Sequence, residues 1–161
     1  MTSPALHPDC RPLAGLLGVW RGTGSGEYPT IDSFGYLEEV TFGHVGKPFL
    51  AYLQKTRHAV DDRPLHTESG FWRPVAPGRL ELVLAHPTGI AEILEGTIEV
   101  GATVVLDLHT TSVTMSSTAK EVTELHRRFE LDGDTLSYRV AMAAVGLPLT
   151  HHLEAELHRV T

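Results

Sequence analysis

The chain has 161 residues, 42% hydrophobic and 20% charged, an ordinary globular composition that supports one core without covalent staples. A formal net charge of −7 argues against a polyanion partner, because nucleic-acid binding needs a concentrated basic surface. No apolar run is long enough to span a bilayer, residues 1–9 lack the pattern of a secretory signal, and the single cysteine, Cys10, excludes an internal disulfide. The expectation is a cytoplasmic protein that binds neither nucleic acid nor membrane.

Residues 1–12 carry three prolines and read as an irregular arm, with residues 13–161 as a single barrel domain. Leu13 to Gly18 suits a short helical turn. Gly18-Val19-Trp20-Arg21-Gly22-Thr23-Gly24 then sets one large aromatic among glycines, a strand that bends sharply or lets another group approach its backbone. A tryptophan at the base of such a strand suits the plug of a small barrel. The first strand runs from Val19 to Gly26. The second, Ser33 to His44, places Tyr36, Glu38, Val40, Phe42 and His44 on one side.

Further strands are expected at Phe49 to His58, Leu65 to Pro74, Arg79 to His86, Ile90 to Val100, Thr103 to Thr111 and Val122 to Leu131. Asp132-Gly133-Asp134 marks a hairpin leading to Thr135 to Ala144, and His151 to Val160 ends the set. About ten strands recur at roughly the 8–12-residue interval of all-β proteins. Pattern alone also admits a β-sandwich. Successive hairpins favour an all-β, antiparallel up-and-down barrel, because closure removes exposed sheet edges.

Familiar catalytic signatures are missing: there is no Gly-x-Ser-x-Gly elbow, no phosphate-binding loop and no paired-cysteine metal site. Ten histidines are scattered from His7 to His158. His66-x-Glu68 puts two donor side chains on one strand face, a weak metal signal without a further histidine, and His86 and His109 have no informative spacing. Arg127-Arg128 reads as a solvated strand end. In the last strand, alternation puts His151 with Leu153, Ala155 and Leu157, and puts His152 with Glu154 and Glu156.

The signature Gly18-x-Trp20-x-Gly22-x-Gly24, followed by Glu27-Tyr28-Pro29-Thr30-Ile31, resembles the nitrobindins, most closely those of actinobacteria. The likeness continues through Gly46-Lys47-Pro48-Phe49-Leu50, Leu65-His66-Thr67-Glu68-Ser69-Gly70, Ala85-His86-Pro87-Thr88-Gly89, Met142-Ala143-Ala144-Val145-Gly146 and His151-His152-Leu153-Glu154-Ala155. The resemblance implies a β-barrel holding one haem b per chain. Attachment would be non-covalent, as no Cys-x-x-Cys-His is present.

By the same resemblance His152 is the axial iron ligand, with His151 in reserve. A bulge after Pro148 would reconcile His152 with the alternation. Thr30 and Lys120 would face the propionates, His66 the open face of the iron, and Met142 the apolar chamber. The implied chemistry is reversible nitric oxide binding and isomerisation of peroxynitrite to nitrate at ferric haem, with no catalytic side chain beyond the iron, in a monomer or homodimer. A role in sensing or storing nitric oxide needs the same iron. The barrel also suits an apolar-ligand carrier of the fatty-acid-binding or lipocalin type, with Arg57, Arg73 or Tyr52 holding a polar head.

Overall fold

The computed structural model describes residues 2–160. Ten antiparallel strands form one closed barrel: β1 (Gly18–Tyr28), β2 (Ile31–Gly43), β3 (Leu50–His58), β4 (Pro64–Ala76), β5 (Arg79–His86), β6 (Ile90–Val100), β7 (Val104–Met115), β8 (Val122–Asp132), β9 (Thr135–Ala144) and β10 (Thr150–Arg159). Each strand pairs with its neighbours in sequence, and β1 closes on β10 with Gly22 opposite Leu157. The up-and-down barrel expected from the sequence is borne out, and the sandwich is excluded.

Seven strands start or end one to four residues from the sequence reading, and the N-terminal boundary differs in kind. A 3₁₀ helix spans Pro8–Leu16, so it begins inside the stretch expected to be irregular. Two local causes act together. The ring Nδ1 of His7 accepts the Asp9 N–H at 3.2 Å, and Pro8 presets its own φ at the first helical position. Pro8, one of the prolines that suggested an irregular arm, starts a helix instead.

That helix plugs one end of the barrel. Cys10, Leu13 and Leu16 are buried beneath it, and the Trp20 indole N–H donates to the Leu16 carbonyl at 2.7 Å. The Arg159 guanidinium lies 4.3 Å from the centre of the Trp20 ring and donates to the Gly15 and Leu17 carbonyls. One strand end thus satisfies carbonyls that the short helix leaves without partners. Above the plug, Trp72 packs edge-on against Phe42 and Phe129, each with ring centres 4.9 Å away.

Two of the β1 glycines make room for large rings. A Cβ at Gly24 would sit 2.3 Å from the Tyr36 ring, and one at Gly26 would sit 2.3 Å from that of Phe34. Both aromatics lie directly across the β1–β2 ladder from those glycines. The bare backbone therefore keeps this wall of the barrel wide.

Trp20→Phe retains the buried ring and removes the N–H that holds the helix. It should cost about 1–3 kcal/mol by leaving the Leu16 carbonyl unpaired. Urea denaturation measures the loss; an unchanged midpoint would mean that the helix is not anchored through this bond.

Candidate functional site

A cavity of about 670 Å³ opens at the end opposite the plug, within the roughly 300–1,000 Å³ of ligand pockets. Thr30, Thr88, Thr118 and Lys120 ring its mouth on the turns, while Phe34, Leu65, Ile90, Val140 and Met142 line its walls. The sequence candidates Thr30, His66, Lys120, Met142 and His152 all face this one cavity. Gly18, Trp20, Gly22 and Gly24 do not line it; the signature shapes the wall and the plug.

The last strand departs from simple alternation where the sequence posed a conflict. Pairing of β10 with β9 shifts between His151 and Leu153, opposite Ala141 and Val140. Because of this bulge, His152 and Leu153 both line the cavity, while His151 lies outside it, 4.0 Å from Glu154. The His152 Nδ1 is 2.9 Å from the Glu27 carbonyl oxygen, which can only accept, so Nδ1 carries the proton. Nε2 has no hydrogen-bond partner among the described residues. Burial lowers the His152 pKa, which keeps the ring neutral. Tyr28 packs edge-on against it at 5.4 Å between ring centres, and the Tyr28 hydroxyl accepts the Ala144 N–H at 2.9 Å. Those contacts tie the bulged strand to the first hairpin and to the turn after β9.

At the mouth, Val145 adopts a φ of 46°, a left-handed conformation that β-branched residues rarely take. Strain of this kind persists only where the surroundings impose it. Here the Val145 N–H donates to the Glu121 carbonyl at 3.1 Å, joining the β9–β10 turn to the segment that carries Lys120.

Deep in the cavity lies a charged cluster that sequence reasoning did not assemble. Arg127 forms a two-pronged ion pair with Glu68, at 2.8 and 3.1 Å, and its Nη2 lies 2.7 Å from Glu92. Tyr52 donates to Glu68 at 2.9 Å. His86 lies 3.0 Å from His66 and 3.4 Å from both Glu68 and Glu92. Burial alone would raise Glu68, but the Arg127 guanidinium outweighs it and holds the carboxyl down at about 2. Burial works against the Arg127 charge too, and the two glutamates overcome it and raise its pKa.

Arg127 is therefore not a solvated strand end: it points inward from β8 and is 5% exposed. Its neighbour Arg128 fulfils that reading, pairing with Asp107 at 3.0 Å on the outer face. Arg57 and Arg73 also lie outside, paired with Asp62 and Glu81, so neither can hold a ligand head within the barrel. Strand alternation was the signal available: Glu38, Glu68, Glu92 and Arg127 share parity with buried apolar neighbours on their strands.

Glu38 forms a second polar group with Tyr36 and Tyr138. Tyr138 donates to Glu38, and the two hydroxyls lie 2.9 Å apart. Burial pushes Glu38 up to about 7, against the Tyr138 and Gln54 hydrogen bonds and the more distant Arg127 charge, with Glu68 adding repulsion. The native carboxyl therefore holds its proton above the ordinary value of 4.5. Its contribution to stability falls as pH rises from 4.5 to about 7 and levels off beyond. Glu38→Gln should remove this loss, raising stability at pH 8 relative to pH 5 by about 1–3 kcal/mol against the parent chain. Chemical denaturation across that range tests it; parallel profiles for the two proteins would assign the proton elsewhere.

Comparison with known proteins agrees with this architecture. A model of the THAP4-like, heme-binding beta-barrel domain matches residues 9–159. The chain is 62% identical over 155 residues to peroxynitrite isomerase 2 of Mycobacterium avium, covering 96% of each protein. It is 55% identical over 158 residues to the peroxynitrite isomerase of Nocardia farcinica, covering 98% of this chain and 94% of that one. The crystal structure of Rv2717c from M. tuberculosis superposes with a TM-score of 0.95 at 53% identity, covering 98% of this chain and 100% of that one. With the signature, the closed ten-stranded barrel and the cavity in place, the chain belongs to the THAP4-like, heme-binding β-barrel family, the nitrobindins.

Proposed function

We propose that this chain holds haem b through His152 and isomerises peroxynitrite to nitrate. The observation that carries the reading is the state of the His152 ring. Its Nδ1–H is committed to the Glu27 carbonyl, burial keeps it neutral, and Nε2 is left with a lone pair beside the cavity. A proximal imidazole needs that arrangement, with one nitrogen oriented by a backbone acceptor and the other free for the metal. The donor set and the apolar walls fit the group. When bound, ferric haem would supply a Lewis-acidic iron, held by His152, to which a small anion can bind.

The remaining work falls to the protein. Thr30 and Lys120 stand at the mouth, where a hydroxyl and an ammonium would anchor the carboxylates of the porphyrin edge. Met142 and Leu153 line the cavity, where they would give the macrocycle apolar contact and help exclude bulk water. His66, its pKa lowered chiefly by burial, is a neutral imidazole that can donate an N–H to a bound anion. Nitric oxide as a reversible ligand belongs to the same proposal. So does a cytoplasmic setting, which the lone buried Cys10 supports. Among the described residues, no helix is long and apolar enough to cross a membrane.

A fatty-acid carrier is less well supported. Such a barrel needs a free interior cation for the ligand's carboxylate, and the charge of Arg127 is already matched by Glu68 and Glu92.

Titration with haemin should give a stoichiometric Soret band whose position depends on His152. His152→Ala should weaken haemin binding at least tenfold and abolish nitrate formation from peroxynitrite above background. Lys120→Ala should weaken haemin by less than tenfold, an exposed ion pair being worth roughly 0–1 kcal/mol. Haemin binding and spectrum unchanged in His152→Ala would overturn the proposal.

A further inference from the structure

Beyond the haem ligand, the interior holds a second set of converging donors, of which only His66 has a part in the proposed reaction and Glu68 and His86 have none. His66 and Glu68 sit two apart on β4 and so share a face, and His86 ends β5, the neighbouring strand. Their donor atoms form a tight triangle: His66 Nε2 to His86 Nδ1 is 3.0 Å, His86 Nδ1 to Glu68 Oε2 is 3.4 Å, and His66 Nε2 to Glu68 Oε2 is 3.9 Å. A tetrahedral ion with bonds of about 2.0–2.1 Å spaces its ligands about 3.3–3.4 Å apart. The triangle brackets that spacing.

We propose that His66, His86 and Glu68 form a site for a borderline divalent cation of the zinc class, separate from His152, with an open coordination position toward the cavity.

Three further observations support it. The first is orientation. Glu68 is held by Tyr52 and by both prongs of Arg127, so its oxygens are fixed in place. The second is an unsatisfied pair of groups behind the site. His86 Nε2 and Glu92 Oε2 are buried, lie 3.4 Å apart and have no hydrogen-bond partner. A cation on Nδ1 would place the His86 proton on Nε2, facing Glu92, the carboxylate–histidine–metal arrangement that metal centres commonly use. The third is charge. Glu68 and Glu92 oppose a single guanidinium, and all three side chains are at most 7% exposed. One more cation, with an anion in its open position, brings this low-dielectric cluster to neutrality. The fourth position faces the cavity because His66, one-third exposed, lines it.

A second cluster, Asp107, His109 and His126, sits on β7 and β8, with the two imidazoles stacked 4.1 Å apart. Arg128 competes there for Asp107, and His109 is well exposed. It serves as the control site.

The test is calorimetric titration of zinc chloride into the EDTA-treated full chain, as isolated and after haemin loading. Cobalt chloride is then used to read coordination from its visible bands. The expected result is one ion per chain, with the intense visible absorption of four-coordinate cobalt. His66→Ala, at the accessible side of the triangle, should weaken zinc at least tenfold, as should His86→Ala. His109→Ala and His152→Ala should leave zinc affinity within twofold, although His152→Ala loses haemin, so the two sites fail independently. Absence of a stoichiometric ion overturns the proposal. So does binding that survives His66→Ala and His86→Ala, or binding that is lost with His109→Ala.

Discussion

The hydrogen bond from His152 to the Glu27 carbonyl is the constraint around which the open end of the barrel is organised. It spans from the last strand to the end of the first, the seam where the barrel closes. Without the register shift between His151 and Leu153 the imidazole would face outward with Glu154. With the shift, two consecutive side chains face the cavity, and the ring is fixed in tautomer and orientation by a main-chain oxygen. A main-chain acceptor is well suited to this task, since it moves only if the strand moves. Tyr28 reinforces it from the same hairpin, through ring contact on one side and main-chain hydrogen bonding on the other.

The two ends of the barrel solve opposite problems. At the closed end, a short helix carries Leu13 and Leu16 into the opening, and Trp20 and Arg159 satisfy its last carbonyls. Cys10, Leu13, Leu16 and Trp20 are at most 1% exposed there, so the core closes this end of the barrel. At the open end the turns carry threonines and a lysine around an apolar chamber, the arrangement expected for a largely apolar ligand with a charged edge. Both ends depend on closure. Only a sheet without edges can leave the interior free for a ligand and keep every strand paired.

Between the ends lies the most expensive feature of the fold. Burying Glu68, Glu92 and Arg127 together carries a desolvation cost that their mutual attraction offsets only with good geometry. The geometry is good on one side, where Arg127 grips Glu68 with two bonds, and incomplete on the other, where the Glu92 carboxylate and His86 Nε2 lack hydrogen-bond partners. A core chosen for stability alone would place leucine there. The retained charge therefore points to recognition of something inside the cavity, because an incompletely satisfied polar network is a poor stabiliser.

By itself the sequence determined an all-β chain of ten hairpin-linked strands, while a sandwich remained open beside the barrel. Period-two alternation and turn residues marked all ten strands, three of them, β5, β6 and β9, to the residue. Those signals are local: each depends on a few neighbouring side chains and on the backbone angles that glycine, proline and Asp-Gly impose. The candidates Thr30, Lys120, His66, Met142 and His152 were legible through the motif resemblance, and they line one cavity. The start of the 3₁₀ helix was missed because prolines open helices as well as break them, and only the cap and the docked leucines decide between the two. The inward turn of His152 and the meeting of Arg127 with Glu68 and Glu92 were settled by tertiary structure alone. A bulge is a mismatch between two strands, and an ion pair 59 residues apart in sequence exists only once the barrel has closed. No pattern within a single strand can encode either.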